Sequence, residues 1–284
     1  MGKIGVIGGS GLYQIEGLKD TKWVKVQTPF GSPSDEYLTG ILDEREIVFL
    51  PRHARGHKIL PTELNYRANI YGMKKLGVDR IISISAVGSL KESIKPLDIV
   101  IPNQFVDRTN MARNTTFFGG GVVAHISFAD PVCAELANIV CDVGRKLGAT
   151  IHFGGTYINM EGPAFSTKAE SNLYRQWGMD IIGMTNMPEA KLAREAEICY
   201  VTIAFATDYD CWRQSVVDIK EVLDNLFKNV DVAKKIIRAS VGKIPKERKC
   251  VCASALKDAI VTNSSLIHKE TKEKLKPIIG KYIS

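Results

Sequence analysis

The sequence predicts an α/β fold with a central sheet flanked by helices, and three observations carry that prediction. Runs of β-branched, apolar residues alternate with helical patterns along the chain, the pattern of folds whose helices cover a sheet. Glycine-rich and polar clusters follow several strand runs directly, where loops of open α/β sheets gather ligands. At 284 residues and 45% hydrophobic, the chain has the material for a substantial core.

The elements follow in order. Lys3–Ile7 reads as a buried strand ending in Gly8-Gly9-Ser10-Gly11, and Ile47–Leu50 as a second ending at Pro51-Arg52-His53. Leu64–Leu76 reads as a helix closed by Gly77. Arg80–Ser85 is a strand that runs into Ala86-Val87-Gly88-Ser89. Asp130 and Pro131 open a helix that stops at Gly148. Tyr157–Met160 is strand-like, Ser166–Trp177 helical, Ile181–Met184 a short strand and Pro188–Ala196 a helix. Tyr200–Ala206 is the most hydrophobic strand, leading into Thr207-Asp208-Tyr209-Asp210. A long amphipathic helix covers Val217–Ser240, and Ala253–Val261 is a short helical run. From residue 264 the chain is rich in Lys and poor in large apolar side chains, which predicts a weakly packed tail, residues 263–284, after a domain of residues 1–262.

Composition narrows the function classes. Lys plus Arg total 38 and Asp plus Glu 31, a net +7 that favours anionic ligands. The basic residues are scattered until the C-terminus, which argues against a nucleic-acid partner. No apolar run approaches the ~20 residues of a membrane helix. The start lacks a signal-peptide pattern, and Val6 stands where a myristoylation motif asks for Ser or Thr, so the expected location is the cytoplasm. The six cysteines are too few and too widely spaced for a secreted disulfide scaffold. Cys250-Val-Cys252 has one intervening residue, not the two of common zinc knuckles, and no metal site is expected.

Four segments carry candidate chemistry. The glycines of Gly8-Gly9-Ser10-Gly11 let backbone approach an oxyanion, with the Ser10 hydroxyl as a further donor. The loop matches neither the dinucleotide fingerprint nor a P-loop, and alone it is equally a tight turn. Arg52 beside His53 suits phosphate oxygens, since guanidinium binds them as a bidentate fork. Asp208 and Asp210, two residues apart on an extended chain, point to one side. In a shared pocket they repel, one pKa rises, and a protonated carboxyl can donate to a leaving nitrogen. Phe165, after the Gly-Pro break in Glu161-Gly-Pro-Ala-Phe-Ser166, could stack on a planar base or simply pack in the core. Thr185 either faces a ligand or caps the helix after it.

Together, in order along residues 3 to 262, the segments IGVIGGSGL, TPFGSPSD, PRHARGHKILP, SAVGSL, NMEGPAFSTKAE, GMTNMPEAKLAREAEICY and IAFATDYDCW resemble the 5′-methylthioadenosine phosphorylases of the trimeric purine nucleoside phosphorylase family. The resemblance implies a single purine nucleoside phosphorylase-like domain with a central mixed sheet. It implies phosphorolysis of 5′-methylthioadenosine with inorganic phosphate as co-substrate and no cofactor. It places Ser10, Arg52, His53, Ser85 and Thr185 on phosphate, and Met184 against the ribose. Ala86 and Phe165 would line the base site, Asp208 would sit by purine N7 as the catalytic residue, and Asp210 would face the 6-amino group. His125 would lie near the ribose 5′ end, lent to a neighbour in a homotrimer or hexamer. Ile219, Val222 and Leu223 would close the methylthio pocket.

The 6-oxopurine relatives place Glu after the Phe of that segment and Asn where this chain has Asp208. Here the first position is Ser166, whose hydroxyl can donate to adenine N1, and Asp210 can accept from an exocyclic amine; both favour a 6-aminopurine. A broader purine nucleoside phosphorylase, acting on adenosine, inosine or methylthioinosine, is the alternative. Some thermophilic members of the family carry a C-terminal Cys-x-Cys, which implies a Cys250–Cys252 disulfide, with Cys133–Cys199 as a second possible pair, against six free thiols.

Overall fold

A computed structural model of the chain describes residues 2–9, 11–110, 113–213 and 219–283. Among the described residues, eleven strands form one mixed sheet: β1 (Lys3–Gly8), β2 (Lys19–Val24), β3 (Tyr37–Leu42), β4 (Arg45–Pro51), β5 (Val78–Ser89), β6 (Ile99–Ile101), β7 (Gln104–Arg108), β8 (Ile151–Phe153), β9 (Thr156–Met160), β10 (Ile181–Gly183) and β11 (Cys199–Asp208). The α-helices among these residues cover it: α1 (Tyr66–Lys75), α2 (Ala134–Lys146), α3 (Lys168–Gln176), α4 (Asn186–Glu195), α5 (Ile219–Val241) and α6 (Lys269–Ile279). The predicted α/β class and every predicted strand are present.

Alternation along the strands sorts the core into two faces. Ile4, Val6, Ile47 and Phe49 pack with Val140 of α2 and Ile236 and Ile237 of α5. Ile7, Val48 and Leu50 pack with Ile70 and Met73 of α1, Ala193 of α4, and Leu275 and Ile278 of α6.

The twelve-residue β5 organises the sheet. Its first half lies between β1 and β11, both parallel to it. β1 pairs with β5 only as far as Ser83, and on the same edge β10 pairs antiparallel with Gly88 and Ser89. Residues 84–87 therefore have no strand partner on that edge. A sheet interrupted in this way leaves a crevice at the carboxyl ends of its parallel strands.

Two expectations fail. The Lys-rich C-terminal stretch is not weakly packed: Leu275, Ile278 and Ile279 are buried, and the Tyr71 hydroxyl donates to the Lys274 carbonyl at 3.0 Å. Three apolar residues at i, i+3 and i+4 suffice to dock a helix whose other faces are charged. The helical run expected over Ala253–Val261 is a 3₁₀ turn, Val251–Ser254, followed by irregular chain. Asp258 there has φ of 63°, and Ile260 bridges to Ala124, so the chain leaves the helix to pair with another segment.

Candidate active site

A cavity of about 880 Å³ opens over the unpaired edge of β5. Its floor is Ser85, Ala86, Val87 and Gly88. At one end the carboxyl ends of β1 and β4 contribute Gly9, Gly11, Arg52 and His53, with Thr185 from the turn after β10. Phe165, Met184, Asp208 and Asp210 stand around the middle. At the other end α5 presents Val222, Leu226 and Val230, four residues apart and so on one helical face.

Arg52 lies at the phosphate-like end, but its fork is already engaged. Its Nε donates to Glu189 Oε2 at 2.9 Å and its Nη2 to Oε1 at 2.9 Å and to Ser83 Oγ at 2.7 Å. Nη1 donates to the Ile84 carbonyl at 2.8 Å. Of five N–H groups, one on Nη1 is left for a ligand. Burial works against the charge on Arg52, yet Glu189 beside it more than offsets that and raises its pKa. Glu189 is fully buried and also accepts from Ser83 Oγ and the Tyr200 hydroxyl, each at 2.8 Å. Arg52 thus enters the cavity as a positive charge locked in position.

His53 Nδ1 lies 2.8 Å from the Ile59 carbonyl, and its ring stacks on His57. A carbonyl only accepts, so Nδ1 carries the proton and Nε2 keeps its lone pair. Burial pulls the His53 pKa down to about 4, so the ring is neutral at pH 7. Ser85 Oγ sits 3.2 Å from the hydroxyl of the fully buried Tyr157. Thr185 is nearly buried at the N-terminus of α4, but its side chain makes no capping bond there and is left for the cavity.

Asp208 Oδ2 accepts from Thr207 Oγ1 at 2.7 Å, and Oδ1 from the Asp210 backbone N–H at 2.8 Å, which orients the carboxyl. The pKa of Asp210 is raised, chiefly through burial, with the Ser171 and Ser166 hydroxyls nearby pulling the other way. Its Oδ2 is buried with no hydrogen-bond partner, and its φ is 37°. A buried unpaired acceptor on a strained backbone is the mark of a ligand contact.

Of the predicted site residues, Arg52, His53, Ser85, Ala86, Phe165, Met184, Thr185, Asp208, Asp210 and Val222 line this cavity. Ser166 lies behind its wall, with Oγ 3.7 Å from Met160 Sδ. His125 is exposed elsewhere and hydrogen-bonds through its backbone to Ala259. Ser10 and the side chains of Ile219 and Leu223 lie outside the described residues. Sequence reasoning missed Glu189, Tyr157, Leu226 and Val230. The last two carry a helical signal, the i, i+4, i+8 stripe begun by Val222. The first two are a buried acid and a buried phenol with no local signal of their partners. Tyr157 does explain Gly183, where a Cβ would collide with the Tyr157 hydroxyl.

The arrangement brings a buried guanidinium, two hydroxyls, apolar side chains and a carboxyl pair to one cavity, groups that could together displace a heteroaromatic leaving group with an anionic nucleophile. The phosphorylase superfamily model matches residues 3–242. S-methyl-5′-thioadenosine phosphorylase of Geobacter sulfurreducens is 64% identical over 282 residues, covering 99% of each chain. A crystal structure of methylthioadenosine phosphorylase from an antarctic soil metagenomic library superposes with a TM-score of 0.94 at 48% identity, covering 98% of each chain. Methylthioadenosine phosphorylase from Schistosoma mansoni in complex with adenine superposes at 0.82 with 35% identity, covering 91% of this chain and 97% of that one. The chain therefore belongs to the phosphorylase superfamily, in the branch of these S-methyl-5′-thioadenosine phosphorylases.

Proposed function

We propose that this protein cleaves the N-glycosidic bond of 5′-methylthioadenosine with inorganic phosphate, giving adenine and 5-methylthioribose 1-phosphate for purine and methionine salvage. The observation that carries the reading is the Asp208–Asp210 pair, with a buried, unpaired Asp210 Oδ2, facing an anion site across an apolar cavity. A 6-amino group supplies the donor Asp210 Oδ2 lacks, whereas a 6-carbonyl would set two acceptors against each other.

Phosphate sits under the ribose, held by the remaining Arg52 N–H, the Ser85 and Thr185 hydroxyls and the backbone of the Gly9–Gly11 loop, with Ser10 as a further donor. His53 Nε2 accepts the P–OH hydrogen, so a neutral histidine suits monohydrogen phosphate. The C1′–N9 bond stretches, positive charge grows on the ribose, and Asp208 stabilises negative charge at adenine N7 by holding or giving it a proton. A phosphate oxygen then bonds to C1′ from the opposite face. The proton gained by adenine equals the one lost by phosphate, so no cofactor or covalent enzyme intermediate is needed. Ala86 and Phe165 flank the base, Met184 the ribose. Val222, Leu226 and Val230 give the methylthio group an apolar wall.

Ser166 reaches adenine N1 in this reading by moving from behind the wall. We expect a homotrimer or hexamer in which His125 is lent to a neighbour near the ribose 5′ end. The domain proper is residues 1–262, with 263–284 docked on it as a Lys-rich terminal segment. A small-molecule substrate, no nucleic-acid partner and a cytoplasmic location go with this reading; no helix among the described residues is long and apolar enough to cross a membrane.

The test is a kinetic comparison of methylthioadenosine, adenosine and inosine with and without phosphate. Methylthioadenosine should exceed inosine by at least ~10²-fold in kcat/KM, the scale of a buried polar mismatch, and only with phosphate present. Equal turnover of inosine would overturn the assignment.

A further inference from the structure

Four of the six cysteines, distant in sequence, meet at one point. The Sγ atoms of Cys133, Cys199, Cys250 and Cys252 all lie within 4.8 Å of one another. Cys133 is the residue preceding α2, Cys199 opens β11, and Cys250 and Cys252 bracket one residue at the 3₁₀ turn. Cys133, Cys199 and Cys252 are buried, and Cys250 partly so. All are free: Cys199 Sγ and Cys250 Sγ lie 3.2 Å apart, and neither Cys250–Cys252 nor Cys133–Cys199 is bonded. The expected disulfides are therefore absent, and the four sulfurs lie together in one cluster.

We propose that these four thiols form a structural metal site for a single zinc ion. Four thiolates around zinc at ~2.3 Å stand ~3.8 Å from one another, which falls within the span of this cluster. An iron–sulfur cube holds its cysteine sulfurs considerably further apart. Soft sulfur ligands in tetrahedral number select zinc, and four protein ligands leave no open position, so the ion serves structure. The local chemistry agrees. Cys133 stands at the N-terminal end of a thirteen-residue helix, where the dipole favours a thiolate. Arg194 lies close enough to act on Cys252, and Arg248 and Lys249 adjoin Cys250, offsetting the net negative charge of a four-thiolate centre. On binding, the ion displaces the thiol protons to solvent.

The ion would clamp the segment after α5 to the base of β11 and the start of α2. Cys199 and Asp208 are the two ends of one ten-residue strand, ~30 Å apart when extended, so the site is remote from the cavity.

The test starts with full-length protein prepared with reductant and freed of loose metal on a chelating resin. Elemental analysis should find about one zinc per chain. Cobalt(II) supplied to metal-stripped protein should give thiolate charge-transfer and tetrahedral ligand-field absorption. Cys133→Ser and Cys252→Ser should lose the zinc and the cobalt spectrum, lower the melting temperature, and retain phosphorolysis below it. Should either variant fail to fold, the metal content and cobalt spectrum of the unmodified protein decide alone. Protein that takes up neither ion would overturn the proposal. So would a second preparation, purified without reductant, whose thiol titration in denaturant falls short of the six cysteines because disulfides hold the rest.

Discussion

The two ends of the cavity are built from different materials. The end we assign to phosphate rests on the carboxyl ends of β1, β4 and β5, and its charge, Arg52, is anchored by the buried Glu189–Ser83–Tyr200 network. The end we assign to the ribose 5′ substituent is one face of α5, whose side chains line the cavity and include the largely exposed Phe227. A strand end fixed by a buried ion pair cannot move without breaking it. A helix face can change residue by residue. Binding of the invariant phosphate should therefore be coupled to folding stability, and recognition of the variable 5′ substituent should not.

The largest effect that would test this contrast is at Glu189. Glu189→Gln leaves the Arg52 charge buried without its carboxylate, which typically costs about 3–5 kcal/mol. Urea denaturation should show a loss of that size together with a raised KM for phosphate. For the same reason Arg52→Ala is not a clean probe of phosphate binding, because it strands Glu189. A Glu189→Gln protein as stable as the parent would break the comparison.

Asp208 sits between the two ends and should belong to neither. Asp208→Ala should lower kcat by ~10² or more with little change in KM, because charge at N7 develops only in the transition state. Stability should change little, since Asp208 lies at a strand end and accepts from a backbone N–H and a neighbouring hydroxyl. Near-full kcat would remove Asp208 from the leaving-group role.

His53 tests the coupling through pH. Its pKa is about 4 in the folded protein against an ordinary 6.5. Between those values the unfolded chain binds a proton that the folded chain refuses, so stability rises with pH across the window and is lost as pH falls from 6.5 towards 4. His53→Asn keeps an N–H for the Ile59 carbonyl and does not titrate. Relative to that variant the parent should lose about 1–2 kcal/mol over the window, allowing for the partial exposure of the ring. Glu195, raised by burial to about 7, works in the opposite sense but is common to both proteins and cancels. A constant difference across pH would mean that His53 is not held neutral by its surroundings.

How much of this was legible in the sequence follows the same division. Loops that end strands carry local signals: glycines after β1, Arg52-His53 after β4, Asp208 and Asp210 after β11. These were read, and the structure brings them together. The partners that hold them were not, because Glu189 meets Arg52 across 137 positions and nothing near either residue announces the other. Five strands escaped notice, each for a physical reason. β2 is a mostly exposed edge strand of charged composition, KDTKWV, and β6 and β8 have three residues each, too short for a period. β3, YLTGIL, is interrupted by Gly40, and β7, QFVDR, is a half-exposed edge strand of mixed composition. The zinc argument from spacing weighed only Cys250 and Cys252, while the cluster draws its other two sulfurs from the start of α2 and the start of β11.

The smallest effect is expected on the helical wall, where the contrast is sharpest. Leu226 follows Val222 by one turn and precedes Val230 by one, and all three line the cavity. Truncation to Ala removes apolar surface from a partly open wall, where each lost methylene costs less than the ~0.8 kcal/mol of full burial. Leu226→Ala should therefore raise KM for methylthioadenosine by about five- to tenfold. The KM for phosphate, kcat and the urea midpoint should stay close to those of the parent. Adenosine carries a hydroxyl where methylthioadenosine has its thioether and gains little from an apolar wall. Its KM should move less, and the preference between the two nucleosides should narrow. A Leu226→Ala protein that loses stability as Glu189→Gln does, or that raises both nucleoside KM values equally, would show that α5 is as tightly bound into the fold as the strand ends. Recognition of the 5′ group would then not be separable from folding.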